Sequence, residues 1–435
     1  MPVEAVHKIL VTGTVVSSVR NPLTSTRRRL CMLRRRCEIV ADHWRRHSAE
    51  PEHPADPRLT IEQALDAQNL PAPIPGTVDY LIDGENFFRE LHRSVEGATE
   101  YVDTQIFLFD NDDVAASYAD LLRKKSGSVP CRVLLDQLGT VICWWIDPNT
   151  EVREGYQPPA SMTHYLRRGS DVEVRMSYNP GLVTDHTKLI VIDGEEAYLG
   201  GMNIGREYLD DRHDMMVRVR GPAVTALQNE FNHAWRLQGG WGDWGIRFHK
   251  APLQYRKTPG TGELAIRILK TGPCEEDINK ALVTAIRASR KRIYLHVSYI
   301  TSDHLVRELI KARGRGVEIT MILPAKSDTE LLNNNNHAAA GDLLGAGAKA
   351  YLYPRASHMK AVVVDDWVCL GSANLDALSL FINEELNIAF SDKSSAEKLI
   401  RDLFEEDIRI SKQLDTNHLE DWDGSFLEFI VDQDQ

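Results

Sequence analysis

Most of the chain alternates between short apolar runs, typical of buried strands, and stretches in which apolar residues recur every three or four positions, typical of amphipathic helices. In the first half this pattern predicts helices at 84–95, 114–124 and 162–168, and strands at 101–109, 131–135, 172–176 and 188–192. In the second half the order returns, with helices at 277–288, 302–312 and 338–344, and strands at 293–297, 318–323, 350–353 and 360–364. We therefore predict α/β domains with largely buried sheets.

A different pattern precedes these domains. Between positions 26 and 48, apolar residues recur at spacings of three and four, which predicts an amphipathic helix with arginines over much of its remaining surface: Leu30, Leu33, Cys37, Val40 and Trp44. Several prolines then occur along a connector, in which the pattern of residues 59–68 predicts one short helix. We divide the chain into a basic extension and Pro-rich linker (1–75), a first domain (76–250), a second domain (262–412) and a C-terminal tail (413–435).

Charge is unevenly distributed along the 435 residues. The net charge is −12, but residues 1–46 carry +7 and the rest carries −19. Because duplex affinity depends on neutralising phosphates, the acidic body argues against a nucleic-acid partner. The basic segment instead indicates a local anionic contact, such as an anionic membrane surface. An interfacial membrane helix, a solvated extension and an organellar presequence all remain open for it.

Cysteine usage and hydropathy point to an ordinary soluble protein. The six cysteines include no CxxC pair, which argues against a disulfide scaffold and a zinc site. Cys131 and Cys369 lie in strand-like apolar runs, where buried free thiols are expected. No apolar run approaches the roughly 18 residues of a membrane span, and no signal peptide is evident. We predict a cytoplasmic protein that associates peripherally with a membrane.

The second half of the chain also repeats a polar pattern of the first. Each copy places lysine two positions after histidine and aspartate five positions after lysine, giving a first cassette (His186, Lys188, Asp193) and a second cassette (His358, Lys360, Asp365). An asparagine follows each histidine by 17 or 16 positions, and an acid follows each asparagine by eleven: Asn203 and Asp214, Asn374 and Glu385. A single match of this kind is usually incidental, whereas the duplication predicts a catalytic pair.

The duplicated pattern resembles the phospholipase D superfamily, whose signature is HxKxxxxD twice per active site, and most of all its bacterial cardiolipin synthase branch. The segments that carry the closer likeness are 200–208, 221–224, 231–235, 324–328, 371–376 and 383–387. The likeness covers about residues 76–410, and the family's usual paired N-terminal membrane spans have no counterpart here. It implies two α/β/α sandwich domains related by a pseudo-twofold axis, with one shared active site.

Phosphodiester chemistry suits these residue types. The negative charge of a phosphodiester repels nucleophiles, so the reaction needs a neutral nucleophile, positive charge on the phosphoryl oxygens and a proton for the leaving alcohol. One histidine attacks as neutral imidazole and the other donates as imidazolium. Lys188 and Lys360 supply the charge, and because residues two apart in a strand face the same side, each lysine projects with its histidine. We assign His186 as nucleophile and His358 as acid.

The remaining residues are expected to support this pair. Asn203 and Asn374 supply neutral hydrogen-bond donors. Each histidine needs a carboxylate to fix its tautomer, and by the family's pattern Asp214 orients His186 and Glu385 orients His358. Asp193 and Asp365 lie near a turn, which we expect them to hold. The candidate catalytic set comprises His186, Lys188, Asp193, His358, Lys360, Asp365, Asn203, Asn374, Asp214 and Glu385.

The resemblance implies a phosphatidyltransferase that joins two phosphatidylglycerol molecules into cardiolipin and glycerol through a phosphohistidine intermediate. Its expected partners are a phospholipid, phosphatidylglycerol or another glycerophospholipid, and an anionic membrane. No metal or cofactor is expected, since the lysines carry the charge that a divalent ion would supply. The alternatives are a phospholipase D that releases phosphatidic acid, a nuclease or other phosphodiesterase, and a non-catalytic lipid-binding scaffold.

Overall fold

The computed structural model describes residues 3–44, 58–145, 152–181, 183–248, 262–325 and 330–415. They divide into two compact units. The first comprises Met1–Cys31, Ile74–Glu263 and Asn383–Glu385, and the second comprises Met32–Pro73, Leu264–Ile382 and Leu386–Gln435. Residues 1–75 are thus shared between the units, whereas the sequence analysis treats them as one extension; its domain boundaries stay a prediction.

The helices, in chain order, are α1 (Val3–Arg20), α2 (Pro22–Trp44), α3 (Ile61–Ala67), α4 (Gly84–Gly97), α5 (Asp113–Lys125), α6 (Gln137–Trp145), α7 (Met162–Arg167), α8 (Ala223–Leu237), α9 (Gly242–Phe248), α10 (Asp277–Ala288), α11 (Asp303–Gly314), α12 (Glu330–Gly345), α13 (Ala377–Phe381), α14 (Lys393–Leu399) and α15 (Glu406–Ile410). Two π-helical turns span Glu207–Asp211 and Ile400–Glu405.

The strands, in chain order, are β1 (Ile74–Ile82), β2 (Val102–Ile106), β3 (Cys131–Asp136), β4 (Glu173–Ser177), β5 (Leu189–Ile192), β6 (Glu196–Gly200), β7 (Met215–Arg220), β8 (Leu264–Gly272), β9 (Glu275–Glu276), β10 (Arg292–Val297), β11 (Glu318–Pro324), β12 (Lys349–Tyr353), β13 (Lys360–Val364), β14 (Trp367–Gly371), β15 (Glu385–Ser391) and β16 (Lys412–Gln413).

The sheet of the first unit has the strand order β1-β7-β6-β5-β2-β3-β4. Strands β2, β3 and β4 are parallel, and the other pairs are antiparallel. All residues of β2, β3 and β5 are buried; β5 is a continuous apolar run, whereas β2 and β3 also bury polar side chains such as Asp103, Gln105 and Arg132. Helices α4, α5 and α7 contribute the apolar side chains that complete the core, among them Phe87, Leu91, Tyr118 and Leu166.

The second unit repeats this arrangement. Its order is β8-β15-β14-β13-β10-β11-β12, with the short β16 added beside β12 and β9 paired with β8. The parallel strands are again the three that follow the pattern strand-helix-strand, β10, β11 and β12. Every strand of the first unit therefore has a counterpart, and the protein is an α/β fold built from two copies of one domain.

The helices and strands predicted for the two domains all form, with ends shifted by a few residues. Two features differ. The segment 333–336, which precedes the predicted helix at 338–344, lies within α12, where Asn336 finds buried partners: its side chain donates to Ser298 O and accepts from Ile300 N. Helix α1 was not predicted; its buried positions include the small residues Gly13 and Ser17, whereas Val11, Val15 and Val19 are exposed.

Two cysteine expectations have different outcomes. Cys131 and Cys369 are buried free thiols, and burial raises the pKa of each to about 12. Cys31 and Cys274 each take part in a disulfide bond, which the sequence analysis did not expect. The lack of CxxC spacing excludes only bonds between near neighbours in the sequence.

Candidate active site

The first cassette lies where the chain enters β5. Lys188 is buried directly before this strand, and its Nζ donates to His186 O at 2.8 Å. The ring of Phe107 lies 5.0 Å from Lys188 Nζ and meets the His186 ring edge-on, with 4.8 Å between ring centroids. An aromatic face attracts a cation, so Phe107 packs against both functional side chains and stabilises the lysine as a charged group.

Glu385 holds the His186 ring. The two Glu385 carboxylate oxygens lie 2.9 and 3.0 Å from His186 Nδ1, and the Glu385 side chain is fully buried. Because a carboxylate only accepts, Nδ1 carries the proton and Nε2 is the ring nitrogen that remains for chemistry at phosphorus. The expected pairing of Asp214 with His186 and Glu385 with His358 is therefore wrong: Glu385, which was assigned to His358, holds His186, so the acid on His186 comes from the second copy of the motif.

A short pairing of main chains brings Glu385 to this position. His186 N donates to Glu384 O and Glu384 N donates to Thr184 O, each at 2.9 Å, in a parallel bridge of Asp185 with Glu384. Thr184 N also donates to the Asn383 side chain, at 3.3 Å from its Oδ1. Segment 383–385 thus belongs to the first unit, although the rest of β15 belongs to the second.

Asp214 is completely buried at the start of β7. Its Oδ1 accepts from Met215 N at 2.7 Å. A Cβ atom at Gly201 would lie 2.3 Å from this oxygen, so the glycine lets the chain after β6 approach the carboxylate closely. Asn203 follows in the same segment, where its Oδ1 accepts from Leu108 N and its Nδ2 donates to Tyr208 Oη at 2.7 Å.

Buried carboxyl groups that the sequence analysis left out of the catalytic set lie behind the first cassette. Asp185 accepts two bonds from Gln105 Nε2, and its main-chain N donates to Asp136 Oδ2 at 2.9 Å. Burial, with the charges of Glu384 and Asp136, raises the pKa of Asp185 to about 8. Burial also raises the pKa of Asp136 to about 7. Near neutral pH these groups hold protons close to the histidine main chain.

Arg28 of α2 reaches the same region. Its guanidinium pairs with Glu384 and also donates to Asn179 Oδ1 at 2.5 Å. Since the Glu384 main chain binds both Thr184 and His186, Arg28 supports the segment that carries Glu385. No local sequence signal identifies this contact, because the two residues are 356 positions apart.

The second cassette has the same local frame. Lys360 begins β13, is buried, and donates from Nζ to His358 O at 2.8 Å and to Ser298 Oγ at 3.2 Å. His358 and Asn374 are also buried. Asn374 Oδ1 is among the buried side-chain atoms for which the described residues offer no hydrogen-bond partner.

A polar chain lies behind His358. Ser357 Oγ is 2.8 Å from His296 Nε2. His296 Nδ1 lies 2.9 Å from Asp407 Oδ2, an ion-pair contact that is not aligned as a hydrogen bond. All three side chains are buried in the second unit. None of the three belongs to the candidate catalytic set of the sequence analysis.

Asp193 and Asp365 hold the turn after each cassette. Both have positive φ, 56° and 54°. The Asp193 carboxylate accepts from the main-chain N of Thr99, Glu100 and Tyr101 at 2.7–2.9 Å. The Asp365 carboxylate accepts in the same way from residues 290, 291 and 292, at 2.8–3.0 Å. Each aspartate fixes the segment that enters the central strand, so its role is structural.

Comparison with known proteins agrees with the duplication. The family described as "Cardiolipin synthase, PLD-like domain" matches residues 91–235 and 282–408, more than half of the chain and one copy in each unit. The chain belongs to this family. It is an enzyme of the phospholipase D superfamily, as the two cassettes predict.

Individual relatives lie in the same branch. Cardiolipin synthase 1 of Staphylococcus aureus (strain COL) is 29% identical over 360 residues, which cover 78% of this chain and 68% of that protein. Major cardiolipin synthase ClsA of Bacillus subtilis (strain 168) is 29% identical over 357 residues, covering 78% and 70%. These relatives support an activity of the cardiolipin synthase type.

Solved structures bear on the fold. Phosphatidylserine synthase of Haemophilus influenzae Rd KW20 superposes with a TM-score of 0.61 at 14% identity, over 85% of this chain and 96% of that one. At this identity the likeness concerns the arrangement of helices and strands alone. Among the helices that the structure describes, none combines the length and apolarity needed to cross a bilayer.

Proposed function

We propose that this protein is a phosphatidyltransferase that joins two phosphatidylglycerol molecules, releasing glycerol and forming cardiolipin. The observation that carries the proposal is the pairing of His186 with the buried carboxylate of Glu385 within an intact, duplicated cassette. The names of the relatives supply the choice of lipid, since the cassette alone suits any accessible phosphodiester.

In the first step His186 Nε2 attacks the phosphorus of a phosphatidylglycerol. A nitrogen–phosphorus bond forms, the bond from phosphorus to the glycerol oxygen breaks, and His358 gives its proton to the leaving glycerol. Glu385 stabilises the positive charge that develops on the His186 ring, as a carboxylate does for a catalytic imidazole. Lys188 and Lys360 stabilise the charge on the phosphoryl oxygens.

In the second step the neutral His358 accepts a proton from the terminal hydroxyl of another phosphatidylglycerol. This hydroxyl oxygen attacks phosphorus, the nitrogen–phosphorus bond breaks, and His186 returns to its neutral form. Water in place of the hydroxyl would give phosphatidic acid, the product of the competing hydrolase. We propose that the enzyme works on the cytoplasmic face of a membrane, where its substrate resides.

The test is incubation of the purified protein with phosphatidylglycerol liposomes, followed by mass spectrometry of the lipids. Cardiolipin and free glycerol are expected, and neither should form with His186→Ala, which keeps the fold but lacks the nucleophile. Phosphatidic acid as the sole product would replace the transferase with a hydrolase. A lack of product from the folded wild-type protein would refute a reaction on this lipid.

A further inference from the structure

The two N-terminal helices expose apolar side chains that a protein in water would normally bury. Within α1, Gly13 and Ser17 are buried, whereas Val11, Val15 and Val19 are exposed. A helix on a soluble protein normally turns its apolar stripe inward. Here the valines, spaced four apart on one stripe, point away from the protein, and small or polar residues make the contact with it.

The contact made by the small residues is close and specific. A Cβ atom at Gly13 would lie 2.8 Å from Gln137 Oε1 and 3.2 Å from Asn179 O. Thr14 Oγ1 accepts from Gly181 N at 3.0 Å on the same side of the helix. The orientation of α1 is therefore fixed by packing and hydrogen bonding. Small residues also mediate close helix packing where the surroundings are apolar.

Exposed apolar side chains are concentrated in this region. Of the nine large apolar residues most exposed in the described part of the chain, eight lie on α1, on α2 or at the start of α9, and the ninth is Ile410. Trp241 is 75% exposed and Val19 is 79% exposed. Concentration of this kind marks an interaction surface, since scattered single residues would need no explanation.

Helix α9 is fastened to the junction between α1 and α2. Asp243 accepts from Leu23 N at 2.7 Å and Thr24 N at 3.1 Å, so it caps the start of α2. A Cβ atom at Gly242 would lie 2.2 Å from Arg20 O, which shows how closely the two segments approach. Trp241 and Trp244 flank this contact. We call the resulting group the valine–tryptophan surface: Val11, Val15, Val19, Leu23, Trp241 and Trp244.

We infer that the valine–tryptophan surface docks the enzyme onto an anionic lipid bilayer. Exposed arginines, Arg27 and Arg29, follow Leu23 on α2 and suit negatively charged headgroups. Tryptophan prefers the boundary between headgroups and acyl chains. The choice of a bilayer, in preference to a second copy of the chain or another protein, rests on the proposed phosphatidylglycerol substrate, which is itself anionic and lies in a bilayer.

Binding of the full chain to vesicles tests the inference. The probes are phosphatidylcholine vesicles with and without phosphatidylglycerol, and bound protein is measured by sedimentation. W241S/W244S and, independently, V15S/V19S should each weaken binding to the phosphatidylglycerol vesicles about tenfold or more, because each removes two exposed apolar side chains that would enter the bilayer. Ile410→Ser, an exposed apolar residue outside the surface, should bind like the wild type.

Several outcomes would overturn the inference. Wild-type binding by both double variants would do so, as would equal binding of the wild type to vesicles with and without phosphatidylglycerol. Light scattering without lipid that reveals a wild-type dimer, and monomers for the same variants, would assign the surface to a second copy. Two variants on different helices guard against misfolding, which thermal unfolding would detect.

The result is separable from the proposed function. In detergent micelles of phosphatidylglycerol, W241S/W244S should keep wild-type turnover, since no catalytic group is changed, and should lose turnover on vesicles. Vesicle binding through this surface without any cardiolipin formation would refute the reaction and leave the docking surface in place. Cardiolipin formation on vesicles that is indifferent to both double variants would refute docking and leave the reaction in place.

Discussion

The residues behind His186 and His358 differ in chemistry although the main chain around them is the same. The main-chain N of Asp193 donates to Tyr101 O, and that of Asp365 donates to Arg292 O, so these carbonyls occupy matching positions. Counting from them, Gln105 matches His296. The first cassette therefore rests on Gln105 and Asp185, and the second on His296 and Ser357.

A second difference lies beside the lysines. Phe107 and Ser298 occupy matching positions, so Lys188 lies over an aromatic ring and Lys360 donates to a hydroxyl. The histidine, lysine and turn aspartate are thus retained in both copies, and their supporting residues have diverged. The two cassettes thus have the same local main-chain frame and different supporting residues, a difference that fits the proposed division into a nucleophile and a proton donor.

The largest expected effect concerns the carboxylate on His186. Glu385→Gln should lower turnover by about 10²–10⁴-fold, because the amide no longer fixes the donor tautomer or stabilises the imidazolium. The matched change in the second unit is Asp407→Asn, whose carboxylate contacts His296, which in turn contacts Ser357 next to His358. It should cost roughly tenfold or less. Steady-state kinetics on phosphatidylglycerol compare the two, and equal losses would show that the supports are equivalent.

Substitution of either turn aspartate should have a similar effect on stability, because the two cassettes do not differ at this turn. Asp193→Ala and Asp365→Ala each remove three bonds accepted from main-chain N and a residue suited to positive φ, at a cost of about 2–4 kcal/mol in the free energy of unfolding. Urea denaturation measures both. If the two variants differed in free energy of unfolding by nearly as much as the larger of the two losses, the turns would not be equivalent.

A further difference between the cassettes concerns Arg28. Among the described contacts, this residue of an N-terminal helix supports the first cassette. Arg28→Ala should lower turnover about five- to tenfold by loosening the Glu384 segment, and Arg28→Lys should recover part of it. KM should stay unchanged, because no contact with lipid is removed. Adding Glu384→Gln to Arg28→Ala should cause little further loss; additive losses would place the two residues in separate roles.

A further expected effect is a pH dependence of stability. Asp185, with its pKa raised to about 8, keeps a proton in the folded protein that an unfolded aspartate releases near about pH 3.9. Its contribution is fully present below about pH 4 and is lost as pH rises to about 8, at up to about 1.4 kcal/mol per pH unit. Asp185→Asn should flatten this slope in urea titrations, and Ser357→Ala should not.

Much of the site was predictable because its signal is local. The spacing of histidine, lysine and aspartate within one strand and its turn identifies both cassettes, and the alternation of apolar runs identifies the paired α/β domains. The partner of His186 was not predictable from spacing. Asp214 and Glu385 each follow an asparagine by eleven positions, and only the bridge of Glu384 with Asp185 decides which acid reaches His186.

The N-terminal region was predictable only in part. The spacing of apolar residues in the basic segment predicted α2. Of these residues, Leu30, Leu33 and Cys37 are exposed, as an interfacial helix requires. The side chains of Val40 and Trp44 lie outside the described residues. Helix α1 escaped prediction because its interior face consists of small and polar residues. Periodicity identifies an apolar face of a helix, but it does not show whether that face packs against the protein or is exposed.

The most direct test of the account is to trap the phosphatidyl-enzyme. Protein mixed briefly with phosphatidylglycerol carrying labelled acyl chains is quenched in alkaline denaturant, digested and mapped by mass spectrometry. We expect the label on His186, absent from His186→Ala and retained by Glu385→Gln at a slower rate. A label on His358, or an unchanged label in His186→Ala, would contradict the assignment of the nucleophile and the division of labour between the cassettes.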